Sequence, residues 1–172
     1  MTKIIQKLDT SLAYYVHSKI KNKRLDRVLA RINTGELMVL LLLPYMVYIH
    51  GWDFWKPLVH VSITAFLTDI LILFLKKTTS RNRPFIGIMG HTGEHPDMKH
   101  SFPSAHAANS MVAVTVLILG YDYSYYFFFL SILAGIGRLI TLHHYLSDVM
   151  GGWLIGFLMG ILGYFIKYLL MN

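Results

Sequence analysis

The sequence predicts an all-α, integral-membrane helical bundle: about five transmembrane helices preceded by amphipathic helices lying on the bilayer surface. Three observations predict it. Over half of the residues are apolar, and only 15% are charged, against about 25% in an ordinary soluble domain. The apolar residues fall into long runs, with the charged residues gathered between them. The length, 172 residues, suits a single domain.

Residues 1–33 form the interfacial segment. Ile4, Ile5, Leu8 and Leu12 recur at helical spacing, as do Leu25, Val28, Leu29 and Ile32, with Lys and Arg between them. That is the pattern of helices lying in a membrane surface. Charge interrupts the stretch throughout, so no cleavable signal peptide is expected. Asn33-Thr34-Gly35 breaks the pattern, with Thr34 placed to cap the next helix.

Residues 34–172 form the bundle, with spans expected at about 36–50, 56–75, 104–120, 124–142 and 148–170. The second and fifth approach the roughly 20 residues needed to cross hydrocarbon; the first is short. Gly51-Trp52-Asp53 and Gly120-Tyr121-Asp122 make tight turns on one side. The long connection, 76–103, carries Gly, Pro, His and charge and is too polar to cross. The 11 Tyr and 10 Phe suit interface belts.

The net charge of +7 points to an anionic lipid headgroup and not to nucleic acid, because the basic residues sit between hydrophobic spans. Part of that charge also suits topology signals beside the spans. With no cysteine, disulfides are excluded and the redox compartment stays open.

Polar residues within the spans need partners. Asn109 and Ser110 are expected to make helix–helix hydrogen bonds. Asp69 shares a helix face with Lys76, and is open to either a structural partner or a part in chemistry. On the fifth span Gly152, Gly156 and Gly160 step by four from Asp148. Small residues at that spacing allow close helix packing, here expected within the chain and not across a dimer.

Three clusters carry the chemistry: Lys76 to Pro84 at the end of span two, Pro103-Ser104-Ala105-His106 opening span three, and Arg138 to Asp148 joining spans four and five. Counting crossings brings all three to one face of the membrane. Lys76, Arg83 and Arg138 supply cationic donors for a phosphate. Ser104 and the backbone amides opening span three add hydrogen bonds at a helix N-terminus. His144 and Asp148, four apart, are expected on one helix face, the carboxylate holding one imidazole nitrogen and freeing the other as nucleophile. His106 is left to protonate the leaving oxygen and then activate water.

Lys-x6-Arg-Pro, Pro-Ser-x-His and Arg-x5-His-x3-Asp, in that order over residues 76–148, resemble the signature motifs of the type 2 phosphatidic acid phosphatases. The resemblance implies a metal-independent phosphatase with no cofactor, working through a phosphohistidine at His144. By motif position it implies His106 as general acid, Asp148 as orienter, and Lys76, Arg83, Ser104 and Arg138 as phosphate binders. Two positions depart from the pattern. Ala105 stands where the family usually has Gly and keeps its backbone N–H for the phosphate. Gly137 stands where a Ser is usual, which removes a hydroxyl.

Other polar residues receive plainer readings. His17, His50 and His60 are expected to be satisfied interface residues, and His143 to face away from the site. Lys77 and Arg81 are read as interface anchors. His91, His95 and His100, with Glu94 and Asp97, lie in a Gly- and Pro-broken loop without the spacing of a structural zinc site, and are expected to be solvated or near a headgroup.

The substrate implied is a bilayer lipid phosphate or diphosphate entering between helices. Lipid A 1-phosphate comes first, undecaprenyl diphosphate close behind, and phosphatidylglycerol phosphate third. The alternatives are a lipid phosphotransferase using the same phosphohistidine and, more remotely, a transporter. The charge distribution alone puts the site in the cytoplasm. The resemblance implies a bacterial inner membrane with the site facing the periplasm or exterior, and that assignment is adopted because Lys76, Arg83 and Arg138 serve chemistry.

Overall fold

A computed structural model describes residues 3–20, 36–84 and 99–171. Among them are α1 (Lys3–Ile20), α2 (Glu36–His50), α3 (Trp55–Thr79), α4 (Ala105–Tyr121), α5 (Phe128–Ile140) and α6 (Leu146–Met171), with no β-strand. Short 3₁₀ turns, Gly51–Phe54 and Tyr125–Phe127, lead into α3 and α5. Helices α2 to α6 occupy the five stretches expected from the sequence. The expected Thr34 cap, the second amphipathic stretch around 25–32, and His91 and His95 lie outside the described residues.

The bundle is apolar on its outside. Leu40, Phe66 and Leu154 are 69%, 64% and 60% exposed, while Thr64, Thr68, Ser110, Thr115 and Ser131 are buried. Water would penalise that arrangement and hydrocarbon favours it, because small and polar residues then mediate helix contacts. Met38–Thr79, which runs through α2 and α3, and Leu146–Leu170, in α6, each contain an 18-residue window apolar enough to cross a bilayer, with mean hydropathy 2.2 and 1.9.

Helix α4 is the centre post, buried continuously from Val112 to Ile118. Its closest neighbour is α6, and the glycine strip is the reason. A Cβ at Gly152 would lie 2.5 Å from the Ser104 carbonyl oxygen, one at Gly156 would run into the Ala108 backbone, and one at Gly160 would meet Thr115 at 2.6 Å. The strip therefore packs α6 on α4 within the chain, as expected.

Side-chain hydrogen bonds tie the other helices to this post. Asn109 Nδ2 donates to Asp69 Oδ1 at 2.8 Å, and the hydroxyls of Ser110 and Ser131 share a bond of 2.9 Å. Both are the helix–helix bonds expected for Asn109 and Ser110. At the far end His60 Nε2 lies 3.0 Å from the Gly163 carbonyl, and Lys167 donates to the Gly120 carbonyl while lying over the Tyr121 ring.

Helix α1 crosses the opposite end of the bundle against α5 and α6. Asp9, Ala13 and His17 recur every four residues on its inner face. Asp9 and Ala13 are buried, and His17 Nδ1 lies 3.0 Å from the Ile140 carbonyl, so His17 is satisfied as expected. Ile4, Leu8 and Tyr15 remain exposed on the outer face, which suits a helix seated in a membrane surface.

Candidate active site

The three sequence clusters meet at one end of the bundle. Helix α3 carries Lys76, fully buried, in its last turn. The helix then closes on Ser80, which adopts the left-handed conformation (φ 45°) and donates its N–H to the Lys76 carbonyl at 3.0 Å. A left-handed residue at this point is the usual way to stop a helix, though Ser is less suited to it than Gly. Beyond it the chain is extended, so successive side chains point to opposite sides. Asn82 is exposed and bridges to His100, while Arg81 and Arg83 turn inward.

Helix α4 opens with Ser104, whose hydroxyl accepts from the Ala107 amide. The Ser104 amide donates to the Asp148 carbonyl at 3.0 Å, which joins the starts of α4 and α6. Ala105 holds the first helical position, where a backbone N–H has no carbonyl within its own helix. His106 follows, half-buried, lining an apolar cavity of about 560 Å³ between α2, α3, α4 and α5.

Helix α5 ends at Ile140, and the chain folds back over its own last turn. The carbonyl of Arg138 accepts the amides of His143 and His144 at 3.1 and 3.2 Å, and Leu142 takes a positive φ of 55°. His144 therefore stands in a loop before α6, not on that helix as the spacing suggested. His144 and Asp148 are nonetheless brought together, 1% and 0% exposed. His144 Nδ1 lies 3.7 Å from Asp148 Oδ2, an ion-pair distance longer than a hydrogen bond.

Asp148 is held elsewhere. Its Oδ2 accepts from the Ser101 hydroxyl and from the Tyr145 amide at 2.8 Å, the latter a side chain in the first turn reaching back to cap its own helix. Its Oδ1 accepts from Arg81 Nη1. Arg81, expected as an exposed anchor, is instead inside: its side chain is 8% exposed, it bonds Ser147 and Asp9, and it lies over the Tyr145 ring. The signal for this was the alternation after a helix stop, which puts Arg81 on the same side as Arg83. Ser101 and Asp9 carried no comparable signal. Lys77 is exposed, in keeping with an anchor.

Arg83, Arg138 and Lys76 all act on His144. Burial first, then these three cations, hold its imidazole well below the usual histidine range, so the ring is neutral near pH 7. His143 is held at about 4 by burial, Arg138 and Arg83. Its ring Nδ1 lies 2.8 Å from the Thr141 hydroxyl, close enough to Arg138 and Arg83 to feel both charges, and Arg83 Nη1 donates to its backbone carbonyl at 3.4 Å. Burial and then Lys99 and Lys76 also lower His100. The arrangement is a neutral imidazole with fixed cations acting on it, beside a helix N-terminus whose His106 also lines an apolar cavity, which together suit an anionic headgroup with an apolar tail.

Comparison with known proteins agrees with this fold. The chain resembles the crystal structure of the first transmembrane PAP2-type phosphatidylglycerolphosphate phosphatase from Bacillus subtilis, with a TM-score of 0.70 and 20% identity over 97% of this chain and 88% of that one. It also resembles LpxE from Aquifex aeolicus, with a TM-score of 0.66 and 22% identity over 89% and 92% of the two chains. Among curated proteins no sequence matches. The model of the PAP2 superfamily matches residues 57–171, a stretch that holds all but the first two residues of α3, the whole of α4 to α6 and all three clusters, and the chain belongs to that superfamily.

Proposed function

We propose that this protein is a membrane lipid phosphatase that works through a phosphohistidine on His144. The observation that carries the reading is the buried imidazole of His144, 3.7 Å from Asp148, with Lys76, Arg83 and Arg138 close enough to act on it. A phosphate in their midst would bring the negative charge those cations favour, and would present its phosphorus to a ring nitrogen.

In this scheme Lys76, Arg83, Arg138, Ser104 and the Ala105 amide hold the phosphate. Asp148 faces Nδ1, so Nε2 attacks. The Nε2–phosphorus bond forms as the bond from phosphorus to the lipid oxygen breaks, and His106 gives that oxygen its proton. A water then passes a proton to His106 and attacks phosphorus. The nitrogen–phosphorus bond breaks, releasing phosphate and restoring both histidines. No step needs a metal.

The cavity beside His106 supports a lipid substrate, because its lining is apolar apart from His106, Asn109 and Ser110. A chain lying in it would enter from the bilayer with its phosphate at the start of α4. We favour lipid A 1-phosphate, then undecaprenyl diphosphate, then phosphatidylglycerol phosphate; a similar solved structure is a phosphatidylglycerolphosphate phosphatase. We assign the site to the outer face of a bacterial inner membrane.

Phosphate release by the purified protein from these three lipids, with and without EDTA, tests the reading. Release that persists in EDTA and is lost in His144→Ala is expected. Full activity in His144→Ala, or complete loss under chelation, overturns the mechanism, and release only when an acceptor lipid is supplied makes the protein a phosphotransferase. For sidedness, a cysteine at the exposed position Lys99 should react with an impermeant thiol reagent in intact cells. A cysteine at Asp53, at the other end, should react only after lysis; the reverse pattern puts the site inside.

A further inference from the structure

We infer that Asp9, on the N-terminal helix, sets the position and charge of the His144–Asp148 pair by acting through Arg81. The inference rests on the phosphatase reading and adds to it a residue far from the three motifs.

Asp9 is 6% exposed on a helix that otherwise shows most of its surface. Its Oδ2 accepts from Arg81 Nη2 at 2.8 Å and from the Ser147 hydroxyl. Its Oδ1 accepts from the Ser147 amide at 3.2 Å. Arg81 Nη1 reaches on to Ser147 Oγ at 2.7 Å and to Asp148 Oδ1. One guanidinium, stacked 4.1 Å from the Tyr145 ring centroid, is thus gripped by two buried carboxylates.

A buried carboxylate costs free energy unless it is paired and hydrogen-bonded, and both of these are. The charges in the grip do not cancel, since two carboxylates face one guanidinium. With Asp148 alone, Arg81 would neutralise the group that faces His144. With Asp9 sharing Arg81, the grip keeps one net negative charge beside an imidazole that becomes cationic as its nitrogen bonds to phosphorus. A fixed charge that matches the charge developing in the transition state speeds the step without tightening the ground state. Asp9 touches neither substrate nor His144 and is a positioning residue.

The same helix exposes Ile4, Leu8 and Tyr15 on its outer face. Seating that face in the membrane surface holds Asp9 in register with Arg81 and Ser147, so the bilayer itself becomes part of what holds the site.

The test compares Asp9→Asn with His17→Ala in the full-length protein. Asp9→Asn keeps the shape and much of the hydrogen bonding but removes the charge. We expect kcat to fall about tenfold or more with KM little changed, the size typical of losing a group that orients a reacting one. His17→Ala cuts a separate tie of α1, to the Ile140 carbonyl, while leaving the three bonds of Asp9 in place, and should leave kcat intact. Wild-type kcat in Asp9→Asn, or an equal fall in His17→Ala, overturns the inference while a working wild type leaves the phosphatase reading standing. Hydrogen exchange of the amides in 141–148 gives a readout that needs no turnover. Exchange should rise in Asp9→Asn more than in His17→Ala, and equal protection in the two variants overturns the inference even if wild type releases no phosphate.

Discussion

Arg81 and Asp148, 67 residues apart, are joined by a buried ion pair, and the Arg81 carbonyl also accepts the amide of Ser101 at 2.7 Å. Ser101 in turn gives its hydroxyl to the other oxygen of Asp148. The connection between α3 and α4 therefore grips both oxygens of the carboxylate that faces His144.

Removing Arg81 strands that carboxylate. The two side chains are 8% and 0% exposed, so solvent screens the pair little. Breaking a buried pair from one side costs about 3–5 kcal/mol. Arg81→Met should lower the melting temperature of the detergent-solubilised protein sharply, whereas Lys77→Met, at an exposed position, should leave it nearly unchanged. Similar melting temperatures for the two variants would remove Arg81 from the frame of the site.

The pH profile follows from His144, which must be neutral to attack. Burial, Arg83, Arg138 and Lys76 hold it well below 6.5, and His143 is held at about 4. The rate should stay level as pH falls from 7 through 6.5 and decline only well below that. Arg83→Gln removes the largest of the cationic effects, so the acid limb of its residual activity should move up toward 6.5. The sign for stability agrees. A histidine with a depressed folded value stabilises the protein fully above its unfolded value, about 6.5, and this is lost as pH falls. Rate profiles and melting curves over the same pH series check both.

Gly156 sits where α6 meets the Ala108 backbone, which cannot yield as a side chain can. Gly156→Leu should cost about 1–3 kcal/mol from overpacking or more. It should also lower kcat, by moving the start of α6 relative to Ser104. Met150→Leu, on the exposed side of α6, serves as the control. A Gly156→Leu protein that melts and turns over like wild type would show that the strip is not the contact.

Ala134 lines the cavity beside His106. Ala134→Phe fills part of it, so a long-chain lipid phosphate should show a KM raised about tenfold, the scale of losing a few buried methylenes. A water-soluble phosphate ester without a tail should be hydrolysed as before. An equal effect on both substrates would move the tail out of this cavity.

The helical frame and the meeting of the three clusters were legible in the sequence, because both depend on local signals. Hydropathy runs and turns define α2 to α6, and the number of crossings between Lys76, Ser104 and Arg138 decides which end they share. Spacing also foretold the packing of Gly152, Gly156 and Gly160, since a step of four keeps residues on one helix face. Spacing misled for His144 and Asp148, where a loop held by the Arg138 carbonyl replaces the expected helical turn.

What only the tertiary structure decided is which polar groups are buried against one another. Asp9 and Ser147 are 138 residues apart, and nothing local in an amphipathic helix sets Asp9 apart from a solvated carboxylate. Arg81 looks like any basic residue beside a membrane span until the extended segment after Ser80 turns it inward. Periodicity reports which face of an element is apolar. The partner of a buried charge is chosen by the packing of distant elements, and here that packing supplied the grip on Asp148.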